Sequence, residues 1–231
     1  MTDLCIDTSA STRVALVEGG EVIARAHDGS TRHHAESLTP LVREVLRSAG
    51  RPEEAARAGL ARVLVGTGPA PFTGLRAGLV TARVIARAAG VPVYGVPSLE
   101  LIARAALDLL APDACVVAIS DARRKELYWG RFLAEGPDDV RCEGRLEVGA
   151  AHSLLNALRG ASDLVVAAGS VPAHSVEALA GAESGPLVEL DPAVLSRIVS
   201  ARLQRGQADS LRTEPLYLRR PEIHGRPMER M

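Results

Sequence analysis

The sequence predicts an α/β fold made of two units of the order βββαβα, and so two subdomains. Three observations carry that expectation. An apolar run opens each half and ends in an aspartate, at Ile6-Asp7 and again at Ser120-Asp121. Gly19-Gly20 lies between two apolar segments and marks a hairpin directly after the first run. A Gly/Pro-rich loop at 66–74 then joins a short apolar run to a segment full of small residues, a strand–loop–helix step.

Taken in order, residues 4–6, 13–17 and 21–26 form three strands. Leu38, Leu41, Val42, Val45 and Leu46 recur at i, i+3, i+4, i+7 and i+8, which makes one apolar stripe of a helix. Pro40 suits the first helical position, with Thr39 as its cap. A start near His33 would instead place the proline inside the helix, as a kink. After a linker at 48–52, residues 62–65 form a buried strand, 73–89 a helix, 91–95 a strand and 98–110 a helix. The second half repeats the order with strands at 114–120, 126–132 and 141–148, a helix at 152–159, a strand at 164–168, and helices at 173–179 and 192–204. The division is 1–104 and 105–218. Residues 219–231 have no periodicity and read as a disordered tail. Two such units, each delivering an aspartate to a turn, match the actin-like (ASKHA) superfold.

A chain of 231 residues with 47% hydrophobic content can bury a substantial core. Its net charge of −1 supplies no global drive toward nucleic acid, although a local basic patch would not show in the count. Lys125 is the only lysine and does not follow a GxxxxG loop, which sets aside a P-loop NTPase. Cys5, Cys115 and Cys142 stand far apart, with no CxxC pair to suggest a disulfide framework or zinc knuckle. With no leader pattern and no apolar run of membrane-spanning length, a reduced, soluble, cytoplasmic protein is expected.

Several motifs have both a chemical and a structural reading. Asp7-Thr8-Ser9 at a strand end suits nucleotide chemistry, a carboxylate orienting a metal-bound water and hydroxyls meeting phosphate. It equally suits an Asx turn. Asp121 faces the same choice, with Arg123 able to reach a phosphate, and Gly169 after the strand at 164–168 is a weak adenosine contact. The loop before Thr73 suits an anion at a helix N-terminus, but Pro69 and Pro71 each remove a donor. Gly74, Ala77, Gly78, Ala82 and Ala86 give the following helix a face almost without side chains. Two helical glycines imply close approach of a neighbour, either the preceding helix or a partner's copy. His33-His34 point about 100° apart on a helix and do not converge on a metal. The other histidines, His27, His152, His174 and His224, are scattered, and no Ser/His/Asp set is evident.

Ile6-Asp7-Thr8-Ser9, His34-Ala35-Glu36-Ser37-Leu38-Thr39-Pro40-Leu41, Phe72-Thr73-Gly74-Leu75-Arg76 after Gly68-Pro69, Gly95-Val96-Pro97-Ser98-Leu99-Glu100, Asp121-Ala122-Arg123 and Pro215-Leu216-Tyr217-Leu218-Arg219 together resemble the TsaB (YeaZ) family over residues 4–218. The resemblance implies a non-catalytic subunit of the actin-like superfold. It would pair with the sister enzyme TsaD and act with the ATPase TsaE in threonylcarbamoyl transfer to the adenosine beside the tRNA anticodon. TsaD carries metal-holding histidines after the strand that matches 91–95, and here Pro97, Ser98 and Leu99 stand there. No catalytic residue, metal or cofactor of its own is therefore implied, and Asp7, Thr8, Ser9, Asp121 and Gly169 would be at most a vestigial nucleotide site. The stripe of Leu38, Leu41, Val42, Val45 and Leu46, with the small face of Gly74, Ala77, Gly78, Ala82 and Ala86, would be the docking surface. It would pair two copies when the chain is alone, and tRNA would be met through the complex. On that expectation Leu41→Asp or Gly78→Leu abolishes pairing and leaves the chain folded. The rival is an active ATPase or small-molecule kinase using Asp7 and Asp121, opposed by the absence of glycine in 7–11 and 121–124.

Overall fold

Alternation along the first strand sets up the architecture. The computed structural model describes residues 1–30, 34–160 and 162–219, with the His34 side chain left aside. Of the tail expected at 219–231, Arg219 is described and pairs with Glu126, while residues 220–231 and His33 lie outside the described residues. The first unit runs β1 (Thr2–Asp7), β2 (Thr12–Glu18), β3 (Glu21–Asp28), α1 (His34–Ser48), β4 (Arg62–Gly66), α2 (Phe72–Ala89), β5 (Val93–Val96) and α3 (Ser98–Leu107). The second runs β6 (Cys115–Asp121), β7 (Glu126–Glu135), β8 (Asp139–Cys142), β9 (Glu147–Ala150), α4 (Ala151–Ala157), β10 (Asp163–Ala167) and α5 (Val194–Gln204).

The first sheet has the order β3-β2-β1-β4-β5, antiparallel across β3-β2-β1 and parallel across β1-β4-β5. Gly19 and Gly20, at φ 61° and 92°, close the β2–β3 hairpin as the sequence predicts. Leu4, Ile6, Val63 and Val65 point to one core with α1 and α2, while Cys5 and Leu64 point to another with α5. Parallel strands covered on both faces read as continuous apolar runs for this reason. Cys5 is a buried hydrophobe whose thiol is pushed well up by burial. The second sheet, β10-β6-β7-β8 with β9 also on β7, repeats the parallel and antiparallel pattern around β6.

The second unit is the reduced one. The single strand expected at 141–148 is two, because Leu146 turns onto Gly130, where a Cβ would lie 2.5 Å from it. The helix expected at 173–179 is one 3-10 turn, Ala173–Ser175. The chain must return at once to the edge of β10, where Val165–Ser184 and Ala168–Val188 form isolated parallel bridges in place of a fifth strand. The boundary expected at 104/105 falls inside α3. That helix packs Leu99, Ile102, Ala103 and Ala106 into the second sheet's core, while α5 from the end of the chain covers the first sheet.

Buried ion pairs fix both exchanged helices. Arg62 grips Asp3 with Nε at 2.8 Å from Oδ1 and Nη2 on Oδ2, and Ser196 and Ser200 of α5 complete the set. Arg202 of α5 donates to both oxygens of Asp139, Nε lying 3.0 Å from Oδ2, and to Glu100 of α3 at 2.6 Å. Burial pushes the Glu100 carboxyl up to about 7, against the pull of Arg202.

The α1 stripe requires a correction. Leu38, Leu41, Val42, Val45 and Leu46 are all buried in this chain's own core, packed on its first sheet, and are not an exposed docking surface. Gly74, Gly78, Ala82 and Ala86 are buried too, and Ala77 packs against the same core. An amphipathic helix laid on a sheet spends its apolar face there. Leu41→Asp therefore puts a carboxylate into the core and would test folding rather than pairing. The neighbour that the α2 glycines imply belongs to the same chain: a Cβ at Gly78 would sit 2.3 Å from the Thr8 hydroxyl, which donates to the Gly74 carbonyl at 2.9 Å. Pro40 lies inside α1, which begins earlier than a proline-first helix would.

Gly78→Ala should destabilise the chain by roughly 1–3 kcal/mol through overpacking, despite a helix-propensity gain of about 1 kcal/mol. Adding Thr8→Ala should restore most of the loss, and additive effects in denaturant unfolding would disprove the contact. Glu100 binds its proton more tightly folded than unfolded, so its contribution to stability falls as pH rises from about 4.5 to about 7. Glu100→Gln should therefore gain on the wild type in Tm between pH 5 and 8, and a constant difference would count against this.

Candidate functional site in the cleft between the sheets

At the end of β1 the Asp7 carboxylate is fully buried. Its Oδ1 accepts from the Ser9 N–H at 2.8 Å and the Ser9 hydroxyl at 2.6 Å, and its Oδ2 accepts from the Ser98 hydroxyl at 2.6 Å. The Ser9 pair is the Asx turn of the structural reading. Burial raises the Asp7 pKa, and the bonds from Ser9 and Ser98 oppose that shift. Gly66 passes so close that a Cβ would lie 1.8 Å from Asp7 Oδ2, a space only glycine leaves open. Ser98, at the position implied to hold metal in the sister enzyme, also donates its N–H to the Gly68 carbonyl at 2.7 Å. Among the described residues no group of three His, Cys, Asp or Glu could hold a metal ion, and no helix is long and apolar enough to cross a membrane.

Asp121 ends β6 in the matching place but is half-exposed. Its Oδ1 accepts from the Arg123 N–H at 2.7 Å, and its Oδ2 lies 3.3 Å from the Arg123 guanidinium. The turn that follows is unusual: Arg123, Arg124 and Lys125 have φ of 62°, 54° and 61°. Left-handed backbone costs a residue with a Cβ roughly 1–2 kcal/mol, and here three cations in a row adopt it at an exposed tip. No local pattern signals this turn, nor the hydrogen-bonded line at its base. His174 Nε2 lies 3.3 Å from Asp121, and its Nδ1 lies 2.7 Å from the Ser175 hydroxyl. Ser175 is fully buried, so the line braces the turn and presents no nucleophile.

Two adjoining cavities occupy the cleft. One of about 650 Å³ is lined by Thr8, Ser9, Phe72, Gly74 and Arg123, and the other, of about 430 Å³, by Phe72, Arg123, Arg124, Tyr128, Tyr217 and Arg219. Thr8, Ser9 and Arg123 thus meet in one space. Asp7, Asp121 and Gly169 do not line it, and Gly169 serves a turn at φ 76°. The outer wall comes from the C-terminal segment. Leu211 accepts from Gly95 on the edge of β5 at 3.0 Å, the Leu216 N–H donates to the Thr67 carbonyl at 2.9 Å, and Arg219 pairs with Glu126 of β7. The segment seats Tyr217 on Phe72, ring centroids 4.1 Å apart and 3° from parallel. Arg76 lies 4.8 Å from the Phe72 centroid and donates to the Tyr217 hydroxyl at 2.8 Å. Both aromatics stand in quoted motifs, but their contact spans 145 positions of chain and has no local signal.

The exposed side of the α1–α2 pair lies elsewhere on the surface. Val80 and Val84, one turn apart on α2, are 59% and 60% exposed. They border a groove of about 340 Å³ with Thr39, Arg43 and Ile85.

Comparison with known proteins agrees with this architecture. The family model described as TsaD, tRNA N6-adenosine threonylcarbamoyltransferase, matches residues 28–154, just over half of the chain. An uncharacterised protein of Mycobacterium tuberculosis is 36% identical over 96% of this chain and 93% of its own length. The tRNA threonylcarbamoyladenosine biosynthesis proteins TsaB of Haemophilus influenzae and Bacillus subtilis are 33% and 32% identical, over 58% and 57% of this chain and 55% of each relative. In fold, the chain is similar to YeaZ from Pseudomonas aeruginosa, with a TM-score of 0.73 at 24% identity, covering 94% of this chain and 99% of that one. With the transferase model matched over more than half of its length and TsaB proteins among its relatives, the chain belongs to the TsaB/YeaZ family.

Proposed function

We propose that this chain serves threonylcarbamoyladenosine formation on tRNA as a non-catalytic cytoplasmic subunit that pairs with a TsaD-type enzyme and works alongside TsaE. The observation that carries the reading is the state of Asp7. An actin-like ATPase or kinase needs that carboxylate facing its nucleotide, whereas here it is fully buried and bonded to Ser9 and Ser98. The second aspartate, Asp121, is held by Arg123 and His174 outside the cavity lining. What remains is an exposed apolar feature on the N-terminal subdomain. Val80 and Val84 form a one-turn stripe beside a groove, the geometry by which one helix pair receives another. This face, rather than the buried α1 stripe, is the docking surface for the TsaD-type partner, and it pairs two copies when the partner is missing.

Two measurements test the reading. The organism's TsaD and TsaE, supplied with tRNA, threonine, bicarbonate, ATP and the enzyme that makes the adenylate, should form product only when this chain is added. Equal product without it would remove the role. Val80→Asp with Val84→Asp should weaken pairing with TsaD by at least ~10-fold in calorimetry, since each buried valine is worth roughly 1.5 kcal/mol or more. The isolated chain should stay folded, its Tm falling only by the concentration-dependent share that self-pairing supplies, and undiminished pairing would rule the face out.

A further inference from the structure

The mouth of the cleft combines three things that the subunit role leaves unused. The first is a flat aromatic stack, Phe72 on Tyr217, with Tyr217 still 37% exposed. The second is Arg76, which holds the stack at its edge through the Tyr217 hydroxyl. The third is the tip Arg123-Arg124-Lys125, of which Arg123 and Arg124 line the smaller cavity opposite the stack, with Lys125 next to them in the turn. All three tip residues are exposed on a left-handed turn where glycine or asparagine is the usual choice, with the Arg123 guanidinium also 3.3 Å from Asp121. The chain as a whole carries a net charge of −1, so this cluster is a local concentration and not a reflection of bulk charge.

Aromatic plates beside cations are the chemistry of single-stranded nucleic acid: a base stacks on the ring and its phosphates meet the charges. We infer that the cleft mouth is a contact site for an unpaired nucleotide of RNA, its base continuing the Phe72–Tyr217 stack and its flanking phosphates held by Arg123, Arg124 and Lys125. The inference rests on the proposed role in tRNA modification for its ligand. A free nucleotide fits less well. Its phosphates would have to enter the turn at Asp7, where the carboxylate faces inward and no glycine opens the backbone. The plate and the tip lie at the outside, where a polymer can pass.

The test uses the full chain, alone and paired with TsaD, and a fluorescein-labelled unmodified tRNA transcript read by fluorescence anisotropy. Tyr217→Ala should weaken binding by about 5- to 100-fold, the range for loss of one stacked base. Tyr217→Phe, which keeps the ring and loses the bond to Arg76, should bind within about 2-fold of wild type. If Tyr217→Phe loses as much as Tyr217→Ala, the ring is not the contact and the inference fails. Replacing Arg123, Arg124 and Lys125 together by glutamate should reduce the slope of log Kd against log salt by about 2, at roughly 0.7 per phosphate. Arg87→Glu, exposed on α2, should leave slope and affinity unchanged. Wild-type affinity and slope in both Tyr217→Ala and the tip variant would overturn the site, as would complete displacement of the RNA by ATP at lower concentration. The two readings fail differently. Product that still requires this chain, with an unchanged KM for tRNA in the tip variant, rejects the contact site and keeps the subunit role. Product that forms without the chain rejects the role, whatever the RNA binding.

Discussion

Removing a carboxylate from water is tolerable only when donors meet both of its oxygens, and at Asp7 they arrive from two directions. Ser9 supplies its N–H and hydroxyl from the turn just past β1, and Ser98 supplies its hydroxyl from the start of α3. The arrangement draws the end of the first strand, the loop after β4 and the head of α3 to one point. That convergence leaves no room at Gly66 for a side chain, and the neighbouring Thr8 leaves none at Gly78. The cleft takes its inner wall from these residues, and α2 takes its distance from the sheet.

The same packing bears on what the Asp7 carboxylate is free to do. A catalytic carboxylate must stay solvated enough to exchange ligands, whereas Asp7 is structural cement whose proton affinity is raised by burial. The exchange of helices adds to the stiffness. Arg62 with Asp3 and Arg202 with Asp139 and Glu100 tie α5 to strands of both sheets, and breaking one partner of such a buried pair is costly. Against this frame, two valines on α2 and the aromatic and cationic mouth of the cleft stand at the exposed rim.

Much of the fold was legible because it is local. The two-residue hairpin at Gly19-Gly20, the continuous apolar strands β1, β4 and β6, and the α1 stripe are periodicities a reader can count, and the order they spell is the actin-like one. A stripe, however, states that one face is buried and not what buries it. Leu38, Leu41, Val42, Val45 and Leu46 form one face in the sequence as in the structure, and the sheet of the same chain, as good a candidate as a partner, is what covers it. Gly78 likewise announced a close neighbour without naming Thr8. The split of β8 from β9 at Gly130, the bracing of Asp121 by His174, and the seating of Tyr217 on Phe72 join residues far apart in the chain, and no periodicity encodes them. The family motifs did encode the positions, since Phe72, Asp121 and Tyr217 all lie within them, but not their contacts.

The exchange of α3 and α5 has a consequence for synthesis. The second face of β1, β4 and β5, where Cys5 and Leu64 lie, is covered by Leu195, Ile198 and Val199 of α5, more than a hundred residues after Leu64. On a ribosome that emits the chain from its N-terminus, the first sheet therefore emerges with one side bare. It stays sticky until α5 is out. The last helix acts as a latch, and nascent chains stalled before about residue 200 should be the natural clients of whatever holdase attends this protein's birth.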